Sequence, residues 1–441
     1  MKNINIVFIV VIAFFFGNVT AQELDVLTKQ EAIAETLQNN FGIQIANNNL
    51  DVADNNQNIL NSGYLPSLTG NAGATYDLQN QKAVTQDGEI REVNGAETTR
   101  YNASVNLNYT LFDGLGRYYD YKALKEEYNL SELQTRETIE TSVLQLFSVY
   151  YEVARLTENI TVLEEVFANT KRRLKRAEYA FEYGQNNKLD VLNAEVDIVT
   201  DSINLMNARQ LLSNTKRDLN VVANVALERT FAVDTTVIFI PSLVLSEYVN
   251  DVENSNVRLL QAEKNKNITE LNYKASKSIF LPSLGLTGSY GWNEGNFPST
   301  SFQASSTSTG LSAGLNLSWD LFDGGRGITT VKNSKIAISN QEIFQEQFKK
   351  EVKRDIANAQ GDYLNRLQIF QLQEKNVSTA ANNFERSNER YKLGQISSVE
   401  LRQAQVNLLN AKTDKNLAKY QAKLAELQVL QLAGQLLNID F

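Results

Sequence analysis

Residues 101–111, YNASVNLNYTL, alternate without a fault. Tyr101, Ala103, Val105, Leu107, Tyr109 and Leu111 take one side; Asn102, Ser104, Asn106, Asn108 and Thr110 take the other. A period of two marks a strand with one apolar and one polar face. Residues 311–321, LSAGLNLSWDL, repeat the pattern. Leu311, Ala313, Leu315, Leu317, Trp319 and Leu321 stand against Ser312, Gly314, Asn316, Ser318 and Asp320. Each copy runs into Leu-Phe-Asp-Gly, at residues 111–114 and 321–324. About 420 residues after a leader would ordinarily suggest two or three domains. The repeat predicts instead one fold made of two similar halves.

Upstream of each stretch lies a matching Leu-Pro-Ser-Leu block, at residues 65–68 and 281–284. Proline disfavours helix at the residue before it and is tolerated at the first residue of a strand. Pro66 and Pro282 therefore mark where an incoming helix gives way to a first strand. That strand alternates too: Leu68, Gly70, Ala72, Ala74, Tyr76 and Leu78 in one half, Leu284, Leu286, Gly288, Tyr290 and Trp292 in the other. Each half thus offers a strand pair, 66–111 and 282–321, with strands about 10 residues long, as tilted strands crossing a bilayer require. The segments 79–100 and 294–310 read as polar, flexible connecting loops. Tyr76, Tyr101, Trp292 and Trp319 near the strand ends suit the aromatic girdles of a membrane interface.

Downstream, residues 117–181 contain neither Gly nor Pro, and 328–391 contain only Gly361. Helices over 116–183 and 326–393 would each be on the order of 100 Å long. Ile139, Leu146, Val153, Ile160 and Phe167 recur at seven, as do Ile356, Tyr363, Phe370 and Val377. With Val143 and Tyr150 they form part of a coiled-coil seam. Helices of this length suit a tube of side-by-side staves better than a globular core. Both stop at a glycine, Gly184 and Gly394, each followed by glutamine, Gln185 and Gln395. Glycine past a helix end takes the left-handed cap conformation. Return helices then start at Asn187 and Ser397 and run over 187–230 and 397–436, giving a tight helical hairpin in each half, 22–233 and 234–441.

Residues 1–21 read as a secretory signal peptide, with Lys2, an apolar run from Ile6 to Phe16, and Val19-Thr20-Ala21 at the cleavage site. Eleven apolar residues are too few to span a bilayer as a helix, and no later stretch approaches the roughly 20 needed. Membrane insertion is therefore expected by strands. The chain has no cysteine and no histidine. That excludes disulfides, thiolate metal sites, Ser-His-Asp chemistry and ordinary zinc sites, so no enzyme, metal or cofactor is expected. A formal net charge of −9 gives no attraction to nucleic acid.

Four strands per chain cannot close a barrel, and an open edge in lipid leaves backbone groups unpaired at several kcal/mol each. Several copies must join. Two would make a barrel filled by its own side chains; three would leave room for water. Inward-facing Asn, Ser, Thr and Gly favour three.

Taken together, the ordered and duplicated blocks resemble the TolC-like outer membrane efflux family over nearly the whole chain. The resemblance implies a membrane α+β fold: a homotrimeric outer-membrane β-barrel, four strands per chain, continued by a long periplasmic α-helical barrel. It implies the exit duct of a tripartite efflux pump or type I secretion system, partnered by a periplasmic adaptor (membrane fusion protein) and an inner-membrane transporter. It places Gly184, Gln185, Gly394 and Gln395 at the adaptor contact, and Asp190, Asn193, Glu400 and Gln403 around the pore entrance. Gln403 stands where members often carry a second acid. Tyr391 and Asp190 are the implied gating pair, with Ile396 where some members carry a latching arginine. Substrate choice lies mainly with the transporter, so drug, metal, protein and polysaccharide fit the duct equally.

Simpler roles compete for some of these residues. Ser397-x-x-Glu400 is a capping box, and Asn187 with Asp190 is its weaker analogue. Asp113 and Asp323 are read as helix caps after the strands. The alternative function is a periplasmic adaptor or scaffold, which also carries a long helical hairpin. An adaptor would have one hairpin flanked by soluble β modules, without paired membrane strands.

Overall fold

The computed structural model describes residues 26–185 and 187–439; the expected signal peptide lies outside them. Short strands β1 (Val26–Leu27) and β4 (Ala232–Val233) pair in parallel. Helices α1 (Lys29–Asn39) and α2 (Phe41–Gln57) lead to strands β2 (Ser67–Val84) and β3 (Ile90–Phe112). There follow the 67-residue α3 (Gly116–Glu182) and its return helix α4 (Lys188–Ala223). The second half supplies α5 (Ser242–Asn250), α6 (Val257–Ser276), β5 (Ser283–Asn296) and β6 (Ser305–Ser318). It closes with a second 67-residue helix, α7 (Arg326–Lys392), and α8 (Ser398–Leu432). Among the described residues no helix is long and apolar enough to cross a membrane. The described residues form two compact units, each drawing on both halves: residues 26–44, 138–252 and 353–439, and residues 45–137 and 253–352.

In the second unit the strands form one antiparallel sheet in the order β2-β3-β5-β6. The register carries the alternation across every pair. Leu68 faces Leu107, Ala72 faces Ala103, Val105 faces Tyr290 and Leu107 faces Gly288. Leu286 faces Leu315 and Tyr290 faces Leu311. Asn71 meets Ser104 and Ser289 meets Ser312 on the other side. Because directly opposed residues share a face, one side is apolar across all four strands and the other is Asn, Ser, Thr and Gly.

The expected loop 79–100 is not a loop. β2 continues past a bulge between Gln79 and Gln81 to Val84, and β3 begins at Ile90. Pairing is carried by the backbone, and opposed polar side chains such as Lys82 and Glu92, 3.6 Å apart, support it. A polar segment can thus be regular strand, because the ladder belongs to the backbone. The segment 294–310 likewise shortens to 297–304. Strand β6 ends at Ser318, short of the expected Leu321. Its last partner is Ser283, next to Pro282, which has no N–H to extend the ladder. Trp319 instead donates its indole N–H to the Phe280 carbonyl at 3.1 Å.

At the strand-to-helix junctions the aspartates cap. Asp113 Oδ2 accepts from the Arg117 N–H at 3.1 Å, and Asp323 accepts from the Gly325 and Gly327 N–H groups at 2.9 and 2.6 Å. The glycine of the first block has φ +72°, and a Cβ there would meet Leu281 Cβ at 2.8 Å and the Ser278 carbonyl at 2.9 Å. Only glycine fits both the dihedral and the gap.

The first unit holds the main core. Leu146, Tyr150 and Val153 of the α3 seam are fully buried, and Tyr363 of α7 nearly so, together with Leu427 and Leu430 of α8 and Phe231 beside β4. Tyr150 donates to the Leu27 carbonyl at 2.8 Å and accepts from the Asp234 N–H at 3.0 Å, tying β1 and β4 to α3. Glu426 of α8, wholly buried, accepts from the Ile240 N–H at 2.9 Å, from the Tyr363 hydroxyl at 3.1 Å and from Lys423.

Candidate functional site at the helical hairpins

The site lies in the first unit, where α3 turns into α4 and α7 turns into α8. Both turns close identically. Gln185 N–H reaches the Ala180 carbonyl at 2.8 Å and Gly184 N–H the Phe181 carbonyl at 2.9 Å. Gln395 reaches Arg390 at 2.9 Å and Gly394 reaches Tyr391 at 3.0 Å. Gly184 and Gly394 have φ of +69° and +72°, so both are Schellman stops. Asn187 Oδ1 accepts from the Asp190 N–H at 3.1 Å, starting α4. At the start of α8, Glu400 Oε2 accepts from the Ser397 N–H at 2.8 Å while Ser397 Oγ accepts from the Glu400 N–H at 3.3 Å. The capping box is present. The Ser397 backbone bond, then its hydroxyl, hold the Glu400 carboxyl below the usual range.

Asp190, Asn193 and Tyr391 line one cavity of about 200 Å³, together with Arg173, Asp197 and Arg402. Glu400 and Gln403 do not line it; Gln403 is exposed and donates to Asn407 at 2.9 Å. Asp190 accepts from the Ser398 hydroxyl at 3.1 Å, which joins α4 to α8. Tyr391 has a different companion. The Arg176 guanidinium lies 5.6 Å from its ring centroid and donates to the Lys392 carbonyl at 3.0 Å. Gly184, Gln185, Gly394 and Gln395 are exposed.

Sequence reading missed the charged network beside these residues. Arg402 of α8 grips Asp201 of α4 with two bonds, 2.7 and 2.9 Å, and reaches Asp197 at 3.4 Å. Arg173 of α3 pairs with Asp197. Thr170 donates to Asp201 at 2.7 Å, and Gln405 donates to Thr170 at 3.2 Å. Three helices from both halves are thus tied through a carboxylate only 3% exposed. Bidentate arginine–carboxylate pairs fix geometry as well as energy. Burial pulls the Arg173 guanidinium below the usual arginine range; Asp197 opposes this and Arg402 adds to it. The available signal was spacing: Asp190, Asp197 and Asp201 fall seven and eleven apart, one face of α4.

A second missed feature is a seam on α4. Leu189, Leu192, Val196, Val199, Ile203 and Met206 follow the 3-4 spacing of a coiled coil, yet every one is exposed, from 45% to 66%. Val191, Ala194, Asp201 and Leu205 form the buried seam on another side of the same helix. A helix apolar on two sides expects two neighbours.

A family model of outer membrane efflux proteins matches residues 32–224 and 248–435. The chain is 22% identical over 429 residues to the outer membrane efflux protein BepC of Brucella suis biovar 1 (strain 1330), covering 93% of this chain and 88% of that one. It is 20% identical over 381 residues to the outer membrane protein TolC of Vibrio cholerae, covering 86% and 84%. Among solved structures, the CmeC outer membrane channel of Campylobacter jejuni superposes with TM-score 0.74 at 18% identity, over 92% of this chain and 86% of that one. The open state of the MtrE outer membrane channel of Neisseria gonorrhoeae gives 0.64 at 18% identity, over 92% and 89%. The duplicated strand pairs, the paired long helices and the two glycine-stopped hairpins thus have one source: the chain belongs to the outer membrane efflux protein family, passive ducts rather than enzymes, seated in the outer membrane and reaching into the periplasm.

Proposed function

We propose that three copies of this chain assemble into one exit duct whose periplasmic mouth is narrowed by the α3–α4 and α7–α8 hairpins. The observation that carries this reading is the four-stranded sheet, apolar on one face wherever all four strands pair, with β2 and β6 left as unpaired edges. Edges in lipid demand partners, and pairing β6 of one copy with β2 of the next closes a ring in which all copies are equivalent. Three copies of four strands make twelve, enough for a wet lumen lined by the polar face. The exposed seam on α4 supports the same assembly, since it offers a second copy a coiled-coil partner.

At the mouth, Asp190 and Tyr391 hold the hairpins through Ser398 and Arg176, and the Arg402–Asp201 pair secures them within a copy. Asp190, Asn193, Glu400 and Gln403 border the entrance, with Glu400 serving both as cap and as the ring's carboxylate. The exposed turns at Gly184–Gln185 and Gly394–Gln395 receive a periplasmic adaptor, which couples the duct to an inner-membrane transporter. The names of BepC, TolC and CmeC place such relatives in the outer membrane, in line with this role.

Light scattering of the detergent-purified protein tests the assembly. A protein mass of three chains is expected; a monomer or dimer overturns the reading. The adaptor or scaffold alternative predicts a protein that stays in solution without detergent.

A further inference from the structure

A second cleft, of about 380 Å³, opens between α3, α7 and α8 and is distinct in composition from the carboxylate-lined cavity beside it. Its charged lining is Arg172, Arg173, Arg176 and Lys392; no carboxylate lines it. Phe384 and Tyr391 supply an aromatic wall. Neither Arg172 nor Arg176 forms an ion pair among the described residues; Arg172 donates only to Asn169, and Arg176 to the Lys392 carbonyl. Lys392 has one partner, Glu389, at 2.6 Å.

Arg173 makes the imbalance deeper. Its side chain is 6% exposed, and although one nitrogen pairs with Asp197, Nε and Nη1 have no hydrogen-bond partner. Asp197 is itself shared with Arg402. Buried donors are almost always satisfied, so two unmet guanidinium N–H groups favour an acceptor. Burial has already pulled this guanidinium below its usual range. The cleft is therefore a basic recess with unsatisfied donors in its floor and one apolar wall. A water-sized ion would leave most of its volume unused, whereas sites of a few hundred cubic ångströms suit small organic ligands.

We propose that this cleft binds a small organic anion, its carboxylate received by Arg172 and Arg176 above Arg173 and its apolar body lying along Phe384. Such a ligand touches α3 of the first half and α7 of the second, so occupancy ties the two hairpins of a copy together. The site stands or falls independently of the number of copies in the duct.

Benzoate is a suitable probe, with benzamide as its neutral counterpart and inorganic phosphate as a purely polar anion. Each is titrated at constant ionic strength into the intact protein in non-ionic detergent, by calorimetry and by thermal unfolding. Saturable binding and a rise in Tm with benzoate are expected, with neither from benzamide. Arg172→Gln should weaken benzoate by about tenfold while leaving the unliganded Tm near wild type, and Arg176→Gln should weaken it similarly even though it also removes the bond to the Lys392 carbonyl. Loss of saturable binding relative to chloride overturns the site. So does an equal response to benzamide, or benzoate binding that survives both substitutions. Phosphate binding as tightly as benzoate would overturn the organic character of the ligand.

Discussion

Glu426 is the residue on which the first unit's core turns. It is wholly buried and meets a backbone N–H, a tyrosine hydroxyl and an ammonium. Nothing in its sequence setting, Ala425-Glu426-Leu427, separates it from the many glutamates of solvated helix faces. Its partners Ile240 and Tyr363 are remote in sequence, so only the folded chain reveals the role. Removing one member of a buried charged set leaves the others unpaired, at about 3–5 kcal/mol. Glu426→Ala should therefore lower unfolding stability by that order in denaturant titration, and Glu426→Gln by clearly less. Glu400 offers a different test, because its cap and its proposed place at the mouth respond to different measurements. Glu400→Gln should reduce block by multivalent cations of single channels in planar bilayers; unchanged block would leave it a cap alone.

At the scale of elements, the glycines separate two kinds of constraint. Gly394 has φ +72° but open space around its missing Cβ, whereas Gly114 has the same φ and crowding from Ser278 and Leu281. Gly394→Ala should cost about 1–2 kcal/mol, the left-handed penalty alone, and Gly114→Ala distinctly more, read as a larger fall in Tm. The capping box adds a pH dependence. The Glu400 carboxyl is held below its usual value of 4.5 in the folded chain. Its contribution is therefore complete above about pH 4.5 and is lost as pH falls through the lowered folded value. Hydrogen exchange at the first-turn amides of α8 should show protection collapsing in that acid window, and not between pH 6 and 8. Periodicity made these elements legible: alternation located the apolar faces of all four strands, and Gly184, Gly394 and Ser397 marked the helix ends. The strand lengths were not legible, because residues 79–100 pair through the backbone while their mostly polar side chains show no sustained apolar alternation. The Arg402–Asp201 tie was also hidden. Its aspartate sits at a position that, in Val191, Ala194 and Leu205, holds apolar residues, and its arginine lies 201 residues away.

For the whole molecule, assembly rests on surfaces that a single copy leaves bare. Among them, Val196 and Ile203 are 66% and 52% exposed on the free seam of α4. The seam's spacing was present in the sequence, yet spacing alone does not say whether a partner belongs to the same chain. Val196→Glu with Ile203→Glu should leave the secondary structure of a copy intact by circular dichroism while shifting the mass in detergent from three chains towards one. A trimer that persists would assign the seam elsewhere.

The two hairpins of the sheet are unequal: β2 and β3 have 18 and 23 residues, β5 and β6 only 14 each. Apolar alternation stops at Leu78 and resumes at Tyr101, so the surplus of the longer hairpin stands clear of the lipid. Residues 79–100 thus form a mostly polar spur, with Asp87 and Gly88 at its turn, held in the sheet by backbone pairing rather than by an apolar face. A sequence change there leaves the alternating apolar face of the remaining strands untouched.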